Sequence, residues 1–178
     1  ERGRLEEATE VLTGVPPDLN ALAVNFFMRT AMARLYRARG WRDQAIAELE
    51  TLGQEASRNG MHNPAVIPWR SELALLIAAQ DPQRAAELVE GELVDARGVK
   101  LPRAVGVALR ARAAGESGAI REATLNEAVA SLEASPARLD LARALIDLGA
   151  HLRRAGRRSA ARDPLRRAHW WASSSARR

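Results

Sequence analysis

At 178 residues, with 47% apolar and 28% charged side chains, the chain has the composition of a folded globular protein and not of a disordered one. Its formal charge is +5, and no stretch reaches the roughly 18 consecutive apolar residues that a membrane helix needs. It contains no cysteine, which excludes a disulfide framework and any thiolate metal site. A cytoplasmic protein is the expectation, and alanine, leucine and arginine point to helices.

Taken in chain order, one unit recurs. Residues 1–14 read as the second helix of a pair, with Gly3, Ala8 and Leu12 in place. The chain opens at Glu1 with neither Met nor a leader pattern, so a piece of a longer protein is expected. Its unpaired first helix would leave Leu5, Val11 and Leu12 uncovered, which makes a homodimer an expectation too. The unit 18–58 starts after Pro16-Pro17-Asp18 and carries Tyr36, Gly40, Ala45 and Leu49. In the unit 63–98, Trp69, Ala85 and Val89 hold the corresponding positions and Asp81-Pro82 replaces the glycine turn. The unit 102–135 has Leu109, the breakers Gly115 and Gly118, then Ala128 and Leu132.

The unit 137–172 is the clearest: Leu145, Leu148, Gly149, Leu152, Gly156, Ala161, Leu165 and Ala168. Gly149 has no side chain at a helix crossing, and Gly156 can end the first helix in the left-handed region. Pro164 falls inside the second helix and is expected to bend it. These spacings match the tetratricopeptide pattern with a period longer than the standard ~34 residues. The predicted fold is all-α: a single domain of nine helices without strands, forming a right-handed superhelical solenoid of antiparallel pairs.

In such a solenoid the first helix of each pair lines the concave face. Positions counted from the anchors place Arg34 and Arg37 there in the second unit, Arg70 in the third, Arg103 and Arg110 in the fourth, and Arg143 and Arg153 in the fifth. Phe27, Thr30, Ile67, Ala74, Ile77, Gly106, Ile146 and Ala150 are expected beside them. Guanidinium groups suit carboxylates and phosphates, so an acidic peptide, an acidic protein surface or an anionic small molecule is the predicted ligand. Trp170 and Trp171 are adjacent and cannot share a helix face; an interface is expected there, with one ring packed and the other exposed.

Residues 101–178 carry 15 basic against 7 acidic side chains. No aromatic interleaving accompanies the arginines, so a solvated face is favoured over contact with nucleic acid. Asp147 and His151 stand at a two-ligand metal spacing without a third partner, and an ordinary ion pair is the simpler reading. Nucleophile, zinc-protease and phosphate-loop motifs are all missing. No catalytic residue, cofactor or metal is predicted.

Three stretches carry a more specific likeness: Asn63-Pro64-Ala65-Val66-Ile67-Pro68-Trp69-Arg70-Ser71, Pro102-Arg103-Ala104-Val105-Gly106-Val107-Ala108-Leu109-Arg110, and Glu127 through Ser135-Pro136-Ala137-Arg138-Leu139 to Leu165-Arg166-Arg167-Ala168. Together they resemble the C-terminal helical region of the large ATP-binding LuxR-type (MalT-like) bacterial transcription regulators. That resemblance implies a sensor segment that binds an effector molecule or partner protein and acts on ATPase and helix-turn-helix domains elsewhere in its parent chain. The ending, His169 to Arg178, departs from what would lead toward the DNA-binding domain. The alternative is a tetratricopeptide interaction scaffold with no role in transcription.

Overall fold

The computed structural model describes residues 4–14 and 22–175, with side chains placed for 4–14 and 24–171. Gly3, Pro16-Pro17-Asp18 and the first residues of the unit 18–58 lie outside the described residues. Nine helices and no strand are found among those described: α1 (Leu5–Thr13), α2 (Leu22–Ala38), α3 (Arg42–Arg58), α4 (Trp69–Ile77), α5 (Pro82–Val99), α6 (Pro102–Ala114), α7 (Gly118–Glu133), α8 (Arg138–Arg154) and α9 (Arg158–Ser175).

Helices pair in sequence, α2 with α3, α4 with α5, α6 with α7 and α8 with α9. Each pair then packs on the next through α3–α4, α5–α6 and α7–α8. First helices also meet across pairs, α4 with α6 and α6 with α8. That places them in one row, the inner row below.

Local chemistry explains the turns. Gly40 (φ 79°) and Gly156 (φ 77°) close α2 and α8 in the left-handed region, where a side chain would be strained. Asp81 caps α5 by accepting from the Arg84 N–H at 3.0 Å, and Pro82 occupies the first turn, where its missing N–H costs nothing. Pro164 is buried within α9, which nevertheless continues to Ser175.

Three glycines set how closely helices approach. A Cβ on Gly149 would lie 2.6 Å from the Leu165 side chain, as its place in the pattern predicts. On Gly53 it would meet the Trp69 ring at 2.5 Å, and on Gly106 the Leu132 Cγ at 2.5 Å. The core around them is leucine and alanine, with Phe26, Leu73, Leu93, Leu109, Leu125 and Leu145 all essentially inaccessible.

The unit 63–98 departs from its predicted form. Its first helix begins at Trp69, and α4 has 9 residues where α2, α6 and α8 have 17, 13 and 17. Pro68 disfavours helical geometry at Ile67, so a helix cannot run through from Asn63. Asn63 instead starts a turn, its Oδ1 accepting from the Ala65 N–H at 3.0 Å. Residues 59–68 make a ten-residue connection, against two residues between α5 and α6 and four between α7 and α8.

Candidate functional site

Two features of the inner row bear on recognition: its charges and the gap left by the late start of α4. The arginines expected to line a groove are largely engaged with the chain itself. Arg34 on α2 pairs with Glu72 on α4. Arg103 on α6 reaches Asp140 on α8 at 2.9 Å and the Ala65 carbonyl at 3.1 Å. Arg110 reaches Asp147 at 2.6 Å, and Arg143 pairs with Asp140 at 3.2 Å along α8. Arg70 turns to its own hairpin partner, meeting Asp95 on α5 at 2.6 Å.

Arg34, Glu72, Arg110 and Asp147 stand 38, 38 and 37 positions apart, at one register of four successive first helices. Their charges alternate, and the ion pairs formed join α2 to α4 through Arg34 and Glu72 and α6 to α8 through Arg110 and Asp147. Among second helices, Glu50 with Arg84 ties α3 to α5, and Glu122 with Arg157 and Glu133 with Arg167 tie α7 to α9, at separations of 34, 35 and 34. On the inner row the arginine precedes its acid; on the outer row the acid precedes its arginine.

These half-buried pairs stiffen the stack and cancel much of the positive charge on the inner face. Asp147→Asn is expected to cost about 1 kcal/mol at low salt and less at ~1 M salt. Urea titrations of both proteins at the two ionic strengths would check this.

Of the remaining predicted site residues, Arg37 lies with Arg34 along a groove of about 830 Å³ between α1 and α2. Arg153 is exposed at the end of α8. Phe27 and Ile146 are 55% and 49% exposed on the inner row, as expected. Thr30, Ala74, Ile77 and Gly106 were expected in the groove and are instead buried between helices. The count from the anchors drifts by about one residue within a helix, which turns a side chain by ~100°.

Trp171 packs against the last pair under the Arg138 guanidinium, 4.1 Å from its ring centroid, while Trp170 is 56% exposed and meets Trp171 edge-on. α1 buries no residue, and Val11 is exposed. Asp147 is committed to Arg110, and no group of three or more potential metal ligands occurs among the described residues.

Sequence reasoning missed a cleft beside the late start of α4. The register of the inner row sets Pro102, the first residue of α6, opposite Pro64, more than a turn before α4 begins. Where the other pairs have helix, this one has an irregular connection, and a cavity of about 580 Å³ opens beside it. Phe26 of α2, Leu52 and Ala56 of α3 and Trp69 of α4 line one side. Val94, Asp95, Gly98 and Val99 of α5 form another, and Gly60, Met61, His62, Asn63, Val66 and Ile67 of the connection complete it. The two prolines flanking Ala65-Val66-Ile67 were the signal for it.

The start of α4 is held by two carboxylates one turn apart on α5. Pro68 offers no side-chain cap, and its place is taken from a distance. Glu92, 1% exposed, accepts from the Ser71 N–H at 3.2 Å and bonds the Ser71 hydroxyl. Asp95 takes Arg70. Burial pushes the Glu92 carboxyl from an ordinary 4.5 up to about 7, against the opposing pull of the Ser71 hydrogen bonds and the Arg70 charge.

No protein-family model and no curated protein matches the chain. No helix among the described residues is long and apolar enough to cross a membrane. In three dimensions the chain is similar to a solved structure of BtubC (BKLC) from P. vanneervenii, with a TM-score of 0.60 over 97% of this chain and 72% of that one. Sequence identity is 19%, so the likeness is one of helical fold.

Proposed function

We propose that this chain is a non-catalytic recognition module, the sensor segment of a larger LuxR-type transcription regulator, which binds an effector or a partner protein. The observation that carries recognition is the preformed cleft at the interrupted first helix of the third unit, in a stack where ion pairs pin the second unit to the third and the fourth to the fifth. A rigid frame with a preformed concavity suits binding, because little order has to be created when a ligand enters. The regulatory part of the reading rests on the resemblance of the stretches 63–71, 102–110 and 127–168.

On this reading the inner arginines Arg34, Arg70, Arg103 and Arg110 chiefly hold the frame, and an acidic partner would have to compete with Glu72, Asp95, Asp140 and Asp147 for them. The full reading frame tests the regulatory assignment. A phosphate loop encoded upstream and a helix-turn-helix downstream are the expected result. A frame with neither would overturn the regulator and leave an interaction scaffold.

A further inference from the structure

The cleft has a chemistry that narrows what it can take. Its volume, about 580 Å³, lies in the ~300–1,000 Å³ range of small-molecule sites. Its walls are dominated by Phe26, Met61, Ile67, Trp69 and Val94, and the charged side chain that reaches it is Asp95. One hydrogen bond to the Asp95 Oδ2 comes from Arg70; a carboxylate has capacity for several more. Arg70 is also over the Trp69 ring, 5.3 Å from its centroid, so ring and carboxylate are fixed relative to each other.

We propose that this cleft binds a compact, largely apolar small molecule that directs a hydrogen-bond donor at Asp95. The proposal deepens the recognition reading by naming the ligand class. An anionic molecule is disfavoured, since the charge it would meet first is a carboxylate. A protein segment is disfavoured by shape: the cavity is bounded by the 59–68 connection on one side and α5 on the other, in place of a long open groove.

Gly98 supplies a clean control. It lines the cleft from within α5, and a Cβ placed there would meet nothing within 4 Å. Gly98→Leu therefore adds a bulky side chain at the cleft wall without a clash and improves helix propensity, so it should fold at least as well as the wild type. The probe is N-phenyl-1-naphthylamine, a neutral apolar amine whose absorption overlaps tryptophan emission. It should bind with a Kd of about 1–100 μM, one per chain, with energy transfer that falls in Trp69→Phe while the other three tryptophans continue to contribute. Gly98→Leu should weaken binding at least ~10-fold with its thermal midpoint unchanged or raised.

The N-methylated probe, which has no N–H, should bind several-fold more weakly. Equal binding of the two probes would overturn the donor requirement. Undiminished binding to Gly98→Leu, or no saturable binding to the wild type, would overturn the site. A negative result here together with flanking ATPase and helix-turn-helix sequences would leave the regulator reading standing, so the two can fail separately.

Discussion

Raising the pH from about 5 to about 8 is expected to cost the wild-type fold up to ~3 kcal/mol through one side chain, Glu92, and Glu92→Gln should abolish that loss. Glu92 is buried at the junction of α4 and α5 with its carboxyl raised from 4.5 to about 7. A raised acid favours the fold fully below its unfolded value and loses that advantage as pH passes through the folded one. The unfolded chain gives up the Glu92 proton near 4.5, whereas the folded chain holds it to about 7. Between those values folding takes up a proton, and each unit of pH removes ~1.4 kcal/mol.

A glutamine retains the interactions that matter locally. Its carbonyl can accept from the Ser71 N–H and its amide can donate to the Ser71 hydroxyl, so α4 keeps its cap without a charge to desolvate. The variant should therefore exceed the wild type by about 2–3 kcal/mol near pH 8 and converge with it near pH 5. Urea unfolding at several pH values gives the test. Every other titrating group is common to both proteins, so the difference between the two curves isolates Glu92. Parallel curves across the range would mean that the carboxyl is ionised throughout.

The same junction shows how far the sequence could be read. Local grammar was legible where a single helix or turn decides it: Gly156 closing α8, Asp81-Pro82 starting α5, Gly149 against Leu165. The nine helices follow from such signals. Relations between elements were harder. The inner arginines were placed on the right helices by their spacing, but the acids of Arg34, Arg103 and Arg110 lie 37 or 38 residues away. Arginine abundance hid the alternation Arg34, Glu72, Arg110, Asp147. Glu92 looked like an ordinary helical glutamate, since nothing in its neighbours reveals that Ser71 lacks a local cap. Asn59–Pro64 reads as a break before the third unit, but Ile67 was expected on its first helix, and the further delay of α4 to Trp69 was written in Pro68. A period predicts where a helix should be; it says nothing of where one has been replaced.

Gly106→Ala should destabilise the protein by about 2 kcal/mol, although alanine is the better helix former by ~1 kcal/mol. The sequence reading put Gly106 on the open face, where that substitution would help. In the structure Gly106 faces α7, and a methyl group there would lie 2.5 Å from the Leu132 Cγ and 3.0 Å from the Ala128 carbonyl oxygen. A leucine side chain can rotate away, but backbone cannot, so α6 and α7 must separate by a few tenths of an ångström. That movement loosens the packing of Ala108, Leu109 and Leu125, all fully buried. Gly91 on α5 provides the opposite case. A Cβ there meets nothing within 4 Å, so Gly91→Ala should stabilise by roughly 0.5–1 kcal/mol. Urea denaturation of the two single variants thus gives opposite signs for one chemical change. Adding Leu132→Ala to Gly106→Ala should cost less than the sum of the single effects, because Leu132 supplies the nearest overlap. Simple additivity, or a gain in stability from Gly106→Ala alone, would return Gly106 to the exposed face and α6 to a different rotation about its axis.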